Sequence, residues 1–482
     1  MREFGIWIGL LLITLIVRYP DFNTLLINWD ESMYLLVGRD LRNGNLPYVN
    51  YWVMKPPLAF VPYALGSLIA GKSIVGMRIF ASFYISLAAY LLYRATSKEI
   101  GRSLGLLTAI LLVVMSTNIL SGRAFMTEHI ALLPLAWIAL QLASREIYLW
   151  KMALALGLCV MIRTNLVILL PAAIWLYDRQ QQKKGRSRGR FDAALRMTLM
   201  TAVPTVVIAL IYGLSGHFEL FYKINFTLTA EFAGHNHVTT KMISRLSYLF
   251  AWRNVACVIA VMIYYIHIKS GLAPHKKWLQ NNLLFMGFTL LSILVTGDRY
   301  AHYNIQILPF LLPILVYGFC DMFGKWKTHP ALMFICTLVM LFQPSNLQRT
   351  KEAIEYQAQT GNFIGDRNKL YQVSEYIEPR YIPGRSIFAG TYPLLNYLIG
   401  ADMPVSAVNP NSFVYEDSLR IIMGDDYSSD KIAQDIIAAK PQFIILSTRV
   451  PFFPELTPYM DKYYKLVKEI SPLTIYEYQN GQ

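Results

Sequence analysis

Apolar runs recur along residues 1–343 with only short polar breaks between them, a pattern that a soluble core cannot absorb and a lipid bilayer can. The first is GIWIGLLLITLIV, with one arginine ahead of it and Arg18-Tyr19-Pro20 behind it in place of a small-residue cleavage site, so it reads as an uncleaved first span. Further candidate spans are 74–93, 104–120, 130–142, 152–162, 166–177, 197–213, 246–268, 283–295, 305–319 and 331–342, about eleven in all. Several fall short of the ~20 residues needed to cross hydrocarbon, and must borrow aromatic flanks or line a cavity as broken helices. Composition agrees: 55% of the 482 residues are hydrophobic and only 15% charged, against about 25% charged in an ordinary soluble chain. Disorder, a collagen-like chain and a disulfide scaffold are excluded, and all four cysteines lie inside apolar runs.

The net charge of +14 would suggest nucleic acid if it were spread evenly, but it is not. Residues 1–343 hold 31 Lys and Arg against 14 Asp and Glu, whereas residues 344–482 hold 13 against 16. An excess confined to the short loops of the apolar part follows the positive-inside rule. No nucleic-acid partner is expected; the expected partners are membrane lipids. With the N-terminus in the cytoplasm, the basic clusters Arg94–Arg102, Arg145–Lys151, Arg179–Arg190, Lys269–Lys277 and Lys325–Lys327 all fall inside. An odd number of spans then places everything after Pro344 outside, as a multi-pass protein of the cell (inner) membrane.

That tail is soluble in character. SIFAG and QFIILST read as buried strands, DKIAQDIIAAK as a helix between them and LTIYEY as a closing strand. The expected fold is therefore mostly α: a polytopic membrane helix bundle over residues 1–343 and a small external α/β domain over residues 344–482.

The loop of residues 28–72 is long for a connection in a compact bundle, and it is patterned. In DESMYLLVGRDLRNG, Met33, Tyr34, Val37 and Leu41 recur at helical spacing, Asp30 is placed to cap the start and Asn43-Gly44 ends the run. This predicts an amphipathic helix on the outer membrane face. A second interfacial helix begins at Lys55-Pro56-Pro57, with proline suited to the first turn.

Six places carry candidate chemistry. Asp30 and Glu31 stand where the chain leaves the membrane, where a carboxylate can act as a general base or simply favour the helix N-terminus. Lys55 precedes Pro-Pro, which holds it extended; its charge suits a phosphate or snorkels at the interface. Glu128 opens a later span, costly there unless functional or paired, for instance with Arg123. Arg163 lies at an outer turn, and Arg299, Tyr300, His302 and Tyr303 form a compact outer connection; these groups are expected around one outward-facing vestibule. His235 and His237 have a spacing that could bind metal, but no third ligand is evident.

The stretch WDESMYLLVGRDLRNGNLPYVNYWVMKPPLAF resembles the first external loop of the glycosyltransferase C superfamily, in particular its polyprenyl-phosphate-sugar-dependent group, which includes protein O-mannosyltransferases and lipid A aminoarabinose transferases. Asp30-Glu31 after the first span, the turn from Gly44 to Pro47-Tyr48, Lys55-Pro56-Pro57-Leu58, the acid at Glu128 and HYNIQILPFLLP from His302 carry the likeness. The resemblance implies inverting transfer of a sugar from a polyprenyl-phosphate donor to an acceptor on the outer face, an envelope lipid, glycan or protein. It implies Asp30 as the catalytic carboxylate, Glu31 and Glu128 on the acceptor side, and Lys55 at the donor phosphate, with Arg163, Arg299, His302 and Tyr303 also placed on the phosphate side. Met33 and Met54 stand where the aminoarabinose enzymes have an arginine and an acid, which bears on specificity rather than on the reaction class. No cofactor is required by this scheme; cationic side chains can replace a divalent metal, which is possible but unsupported. The alternative is a carrier or flippase for lipid-linked saccharides. Such carriers usually show repeated halves, and none is visible here.

Overall fold

The computed structural model describes residues 2–119, 122–186, 189–235, 275–295, 300–322, 344–362, 368–407, 416–424, 429–447 and 454–479. The chain is mostly helical. In order, the described helices of the apolar part are α1 (Arg2–Arg18), α2 (Trp29–Arg42), α3 (Val61–Ala70), α4 (Ile74–Ile100), α5 (Arg102–Val114), α6 (Thr127–Leu142), α7 (Leu149–Ile162), α8 (Leu170–Lys183), α9 (Arg190–Leu214), α10 (Phe218–Tyr222), α11 (Leu228–His235), α12 (Lys276–Val295) and α13 (Leu308–Met322).

Four helical stretches among the described residues are long and apolar enough to cross a membrane: Arg2–Asp21, Ile74–Ile100, Arg190–Leu214 and Lys276–Val295. Shorter apolar helices include α5, α6 and α7. Expected spans 246–268 and 331–342 lie outside the described residues. Irregular turns interrupt three of the expected spans: α5 ends in a π turn over Met115–Ile119, and 3-10 turns at Thr164–Leu169 and Ala301–Ile307 lead into α8 and α13.

The chain forms two compact units, each assembled from distant pieces of sequence. The first comprises residues 1–19, 81–209 and 230–350. Its core is Leu112, Ile130, Leu135, Ile138, Leu156, Leu166, Phe285, Phe310 and Leu312, all essentially sealed. Gly157 marks a close approach of α7 to α9, since a Cβ there would meet Thr201 O at 2.5 Å and Pro204 Cγ at 2.7 Å; small residues permit such helix contacts in a membrane. The outer side of α9 leaves Leu195, Leu199, Val203, Val206 and Val207 exposed, a surface suited to lipid.

The second unit joins residues 20–80, 210–229 and 351–482. The composition shift near residue 343 cuts the chain once, whereas this grouping ties the first loop to the C-terminal segment. A four-stranded sheet, ordered β1-β2-β4-β3, is built from β1 (Ile387–Phe388), β2 (Phe443–Ser447), β3 (Tyr464–Ile470) and β4 (Leu473–Tyr478). Strands β1 and β2 run parallel, with Ile387 opposite Phe443, and β4 is antiparallel to both β2 and β3. Central β2 is a nearly continuous apolar run because both its faces are covered; edge β3 carries Lys465, Lys468 and Glu469, charges that discourage further strand pairing.

Helix α2 differs from the expected surface helix. Every residue from Glu31 to Asp40 is buried, because the protein itself satisfies its polar face. Arg39 donates to the carbonyls of Asn396 (2.7 Å) and Ala401 (2.9 Å) and to Asp402 (2.9 Å), while Asn45 and Asn50 donate to Asp40. Its apolar side packs on α3 at Gly38, where a Cβ would lie 2.4 Å from Tyr63 Cβ. Helix α3 instead presents the outward apolar face, with Leu65, Leu68 and Ile69 exposed. It begins after a 3-10 turn at Pro57–Ala59, so the second predicted helix starts at Val61 rather than at Lys55.

Candidate active site

In the second unit the chemistry gathers at the start of α2. The N-cap is Asn28, whose side chain accepts from the Asp30 amide at 2.9 Å. This corrects the expectation that Asp30 caps the helix: Asp30 sits in the first turn with its carboxylate uncommitted to the backbone. The Tyr34 hydroxyl, one turn on, donates to Asp30 Oδ2 at 3.3 Å. Asp30 forms no ion pair among the described residues, and it is half-buried.

Glu31 is placed differently. Its carboxylate meets Arg78 of α4, and both side chains are almost sealed, at 5% and 3% exposure. The carboxylate of Glu31 is thus committed to the Arg78 guanidinium, and the pair is neutral as a whole.

Lys55 lies half-buried in the extended segment before Pro56. Its carbonyl accepts from the Tyr48 hydroxyl, which also donates to Asn225 Oδ1 at 3.2 Å. Tyr48 is fully buried and holds a left-handed backbone, φ 76°, a conformation uncommon for a residue with a side chain. Tyr212 clamps the same turn by donating to Pro47 O at 2.7 Å. The Lys55 backbone is thus held at its carbonyl by Tyr48 and at its amide by Val53 O, 2.8 Å away.

The first unit holds the other cluster. Glu128, 1% exposed at the start of α6, pairs with Arg163 at the end of α7. Arg163 also donates to Thr127 Oγ1 at 2.9 Å and Asn165 Oδ1 at 3.3 Å, and its guanidinium lies 4.7 Å from the centre of the Tyr303 ring, a favourable cation–π arrangement. His302 Nε2 stands 4.0 Å from Glu128 Oε1. Asn165 extends the network to Ser292 (3.2 Å) and Gln306 (3.3 Å). The loop before α6 is fixed by Arg18, fully buried, which donates to Gly122 O (3.2 Å) and Arg123 O (2.8 Å).

The structure therefore brings together Glu128, Arg163, His302 and Tyr303 in one unit; in the other, Asp30 and Glu31 stand side by side at the start of α2 and Lys55 lies in the separate segment before Pro56. Arg299 and His237 lie outside the described residues, as does the His235 side chain. Among the described residues no group of three or more His, Cys, Asp or Glu could hold a metal. Sequence reading missed Arg78, Tyr34, Tyr48, Asn225, Asn165 and Arg18. Two had a signal: Arg78 and Arg18 are arginines in or at the end of apolar runs, where a charge demands a partner.

No protein-family profile matches the chain, and no curated protein does so by sequence. Among solved structures it is similar to ArnT from Cupriavidus metallidurans bound to undecaprenyl phosphate, with a TM-score of 0.63 and 11% identity over 98% of this chain and 97% of that one. The apo state of the same protein gives 0.63 and 11% over 99% and 98%. The Archaeoglobus fulgidus oligosaccharyltransferase gives 0.48 and 10% over 92% and 69%. The chain therefore shares the fold of ArnT over nearly its whole length.

Proposed function

We propose that this protein is a membrane glycosyltransferase that moves a sugar, with inversion, from a polyprenyl-phosphate carrier to an acceptor on the outer face of the membrane. The fold is that of ArnT, whose structure holds undecaprenyl phosphate. The single observation that carries the assignment within this chain is the difference among the three candidate acids. Glu31 and Glu128 are each matched by a buried arginine, whereas Asp30 is half-buried and bonded by one tyrosine hydroxyl.

Asp30 is then the base. It takes the proton of the acceptor hydroxyl or amine as that atom attacks the anomeric carbon. The bond from the anomeric carbon to the phosphate oxygen breaks on the opposite side, and the lipid phosphate leaves with the electron pair. Lys55, on its fixed backbone, neutralises the charge that grows on that oxygen, an effect that is strong in a water-poor site. Glu31 and Glu128 act through their arginines as positioning groups. Arg163, its charge matched by Glu128 and its guanidinium over the Tyr303 ring, forms with His302 a fixed polar cluster within its own unit.

The test follows radiolabelled sugar from a synthetic polyprenyl-phosphate donor into an envelope extract. Because only interactions stronger in the transition state raise the rate, Lys55→Ala lowers kcat by roughly 100-fold, the scale for one preorganised charge contact, with a smaller loss of donor affinity. Lys55→Arg rescues in part. A wild-type protein that carries the lipid across the membrane and never cleaves the sugar is a carrier, and the proposal fails.

A further inference from the structure

A cavity in the first unit is lined by none of the candidate site residues above. The ends of α4 and α6, the loop after α6, α8 and the start of α12 enclose a cavity of about 680 Å³, within the ~300–1,000 Å³ range of ligand pockets. Its rim carries four exposed cations, Lys98, Arg145, Lys276 and Lys277, none of which forms an ion pair among the described residues. The lining has one carboxylate, Glu99, and it is engaged by His275 Nδ1 at 3.2 Å.

The floor has a different chemistry. Trp278 and Asn281 are 3% and 4% exposed, and neither the indole N–H nor the Asn281 amide makes a hydrogen bond among the described residues. Both residues line the cavity, so their N–H groups are left for an acceptor that enters it. The walls are rigid: Gln180 Oε1 accepts from the Ile147 amide at 2.8 Å and Gln180 Nε2 donates to Ile147 O at 3.1 Å, pinning the loop after α6 to α8. Leu142, Ala143 and Ile147 add an apolar side.

We propose that this cavity binds the phosphate diester of an anionic lipid headgroup. Oxygens of the diester accept from Trp278 and Asn281, the rim cations balance its charge, and the apolar wall takes the glycerol carbons, which a free phosphate does not have. Basic pockets between helices on the cytoplasmic side suit such headgroups, and every rim cation belongs to a segment that the charge pattern assigns to the cytoplasm. The inference is independent of the transfer reaction.

Native mass spectrometry of the purified full chain, titrated with phosphatidylglycerol or phosphatidylcholine, tests it. Phosphatidylglycerol binds more tightly, and Lys276→Ala with Lys277→Ala weakens it roughly 30-fold, about fivefold per lysine, while phosphatidylcholine binding is unchanged. Asn281→Ala weakens binding of both lipids, since both carry the diester, without altering net charge. Arg179→Ala with Lys183→Ala removes the same charge beside the cavity lining and leaves binding intact. Thermal melting confirms that each variant is folded. Equal affinity for the two lipids, or an equal loss in the Arg179/Lys183 variant, overturns the proposal; displacement of phosphatidylglycerol by millimolar inorganic phosphate overturns the lipid assignment in favour of a free phosphate.

Discussion

Removing either partner of the Glu31–Arg78 pair should be far worse than removing both. The two side chains are at most 5% exposed, so Glu31→Gln leaves a buried guanidinium without its counter-charge and Arg78→Met leaves a buried carboxylate. Such single losses cost about 3–5 kcal/mol, whereas replacing the whole pair by apolar groups is often neutral. The unit containing both has about 210 residues, and for that size 1 kcal/mol shifts a melting temperature by roughly 2–4 °C. Each single variant should therefore melt on the order of 10 °C lower. Glu31→Leu combined with Arg78→Met should recover most of that, a coupling measurable as a double-mutant cycle by thermal unfolding in nanodiscs. Additive losses would refute the pair and return Glu31 to the list of possible bases.

Two further outcomes follow from the same unit. Gly38→Ala should destabilise by about 1–3 kcal/mol through overpacking, since its Cβ would collide with Tyr63; an unchanged melting temperature would mean that α2 and α3 separate easily. Burial pushes the Asp40 carboxyl up from its ordinary range, against hydrogen bonds from Asn45 and Asn50 that lower it. The folded chain thus holds this proton more tightly than the unfolded one, and the contribution favouring folding is present below the unfolded value near 4 and lost as pH rises through the folded value. Asp40→Asn should melt higher than wild type at neutral pH and lose that advantage in acid; the opposite order would contradict the sign.

Much of this was legible because membrane burial writes itself into runs of residues. GIWIGLLLITLIV and the Arg190–Leu214 run need no tertiary knowledge to be read as helices. QFIILST announced a buried strand and LTIYEY a closing one by length and β-branching, and the structure has strands at both. Strand β3 was missed because YKLVKEI is an edge strand with few apolar positions. The misreading of α2 had a physical cause: its polar residues look solvent-facing until Arg78 and the carbonyls of Asn396 and Ala401 are known to meet them. Those partners lie tens to hundreds of residues away, where no local pattern points. Asp30 was found as an acid by its position, but its distinction from Glu31 and Glu128 came only from the arginines.

That distinction is tested most directly by Asp30→Asn in single-turnover transfer from the radiolabelled polyprenyl-phosphate sugar. The substitution keeps shape and leaves the Asn28 cap on the residue-30 amide in place, so folding and donor binding persist. Transfer should fall by about 10²–10⁴-fold, the usual cost of losing a general base, and Glu31→Gln in the Arg78→Met background should not reproduce a loss of that size once folding is accounted for. Near-wild-type transfer by folded Asp30→Asn protein would contradict the account.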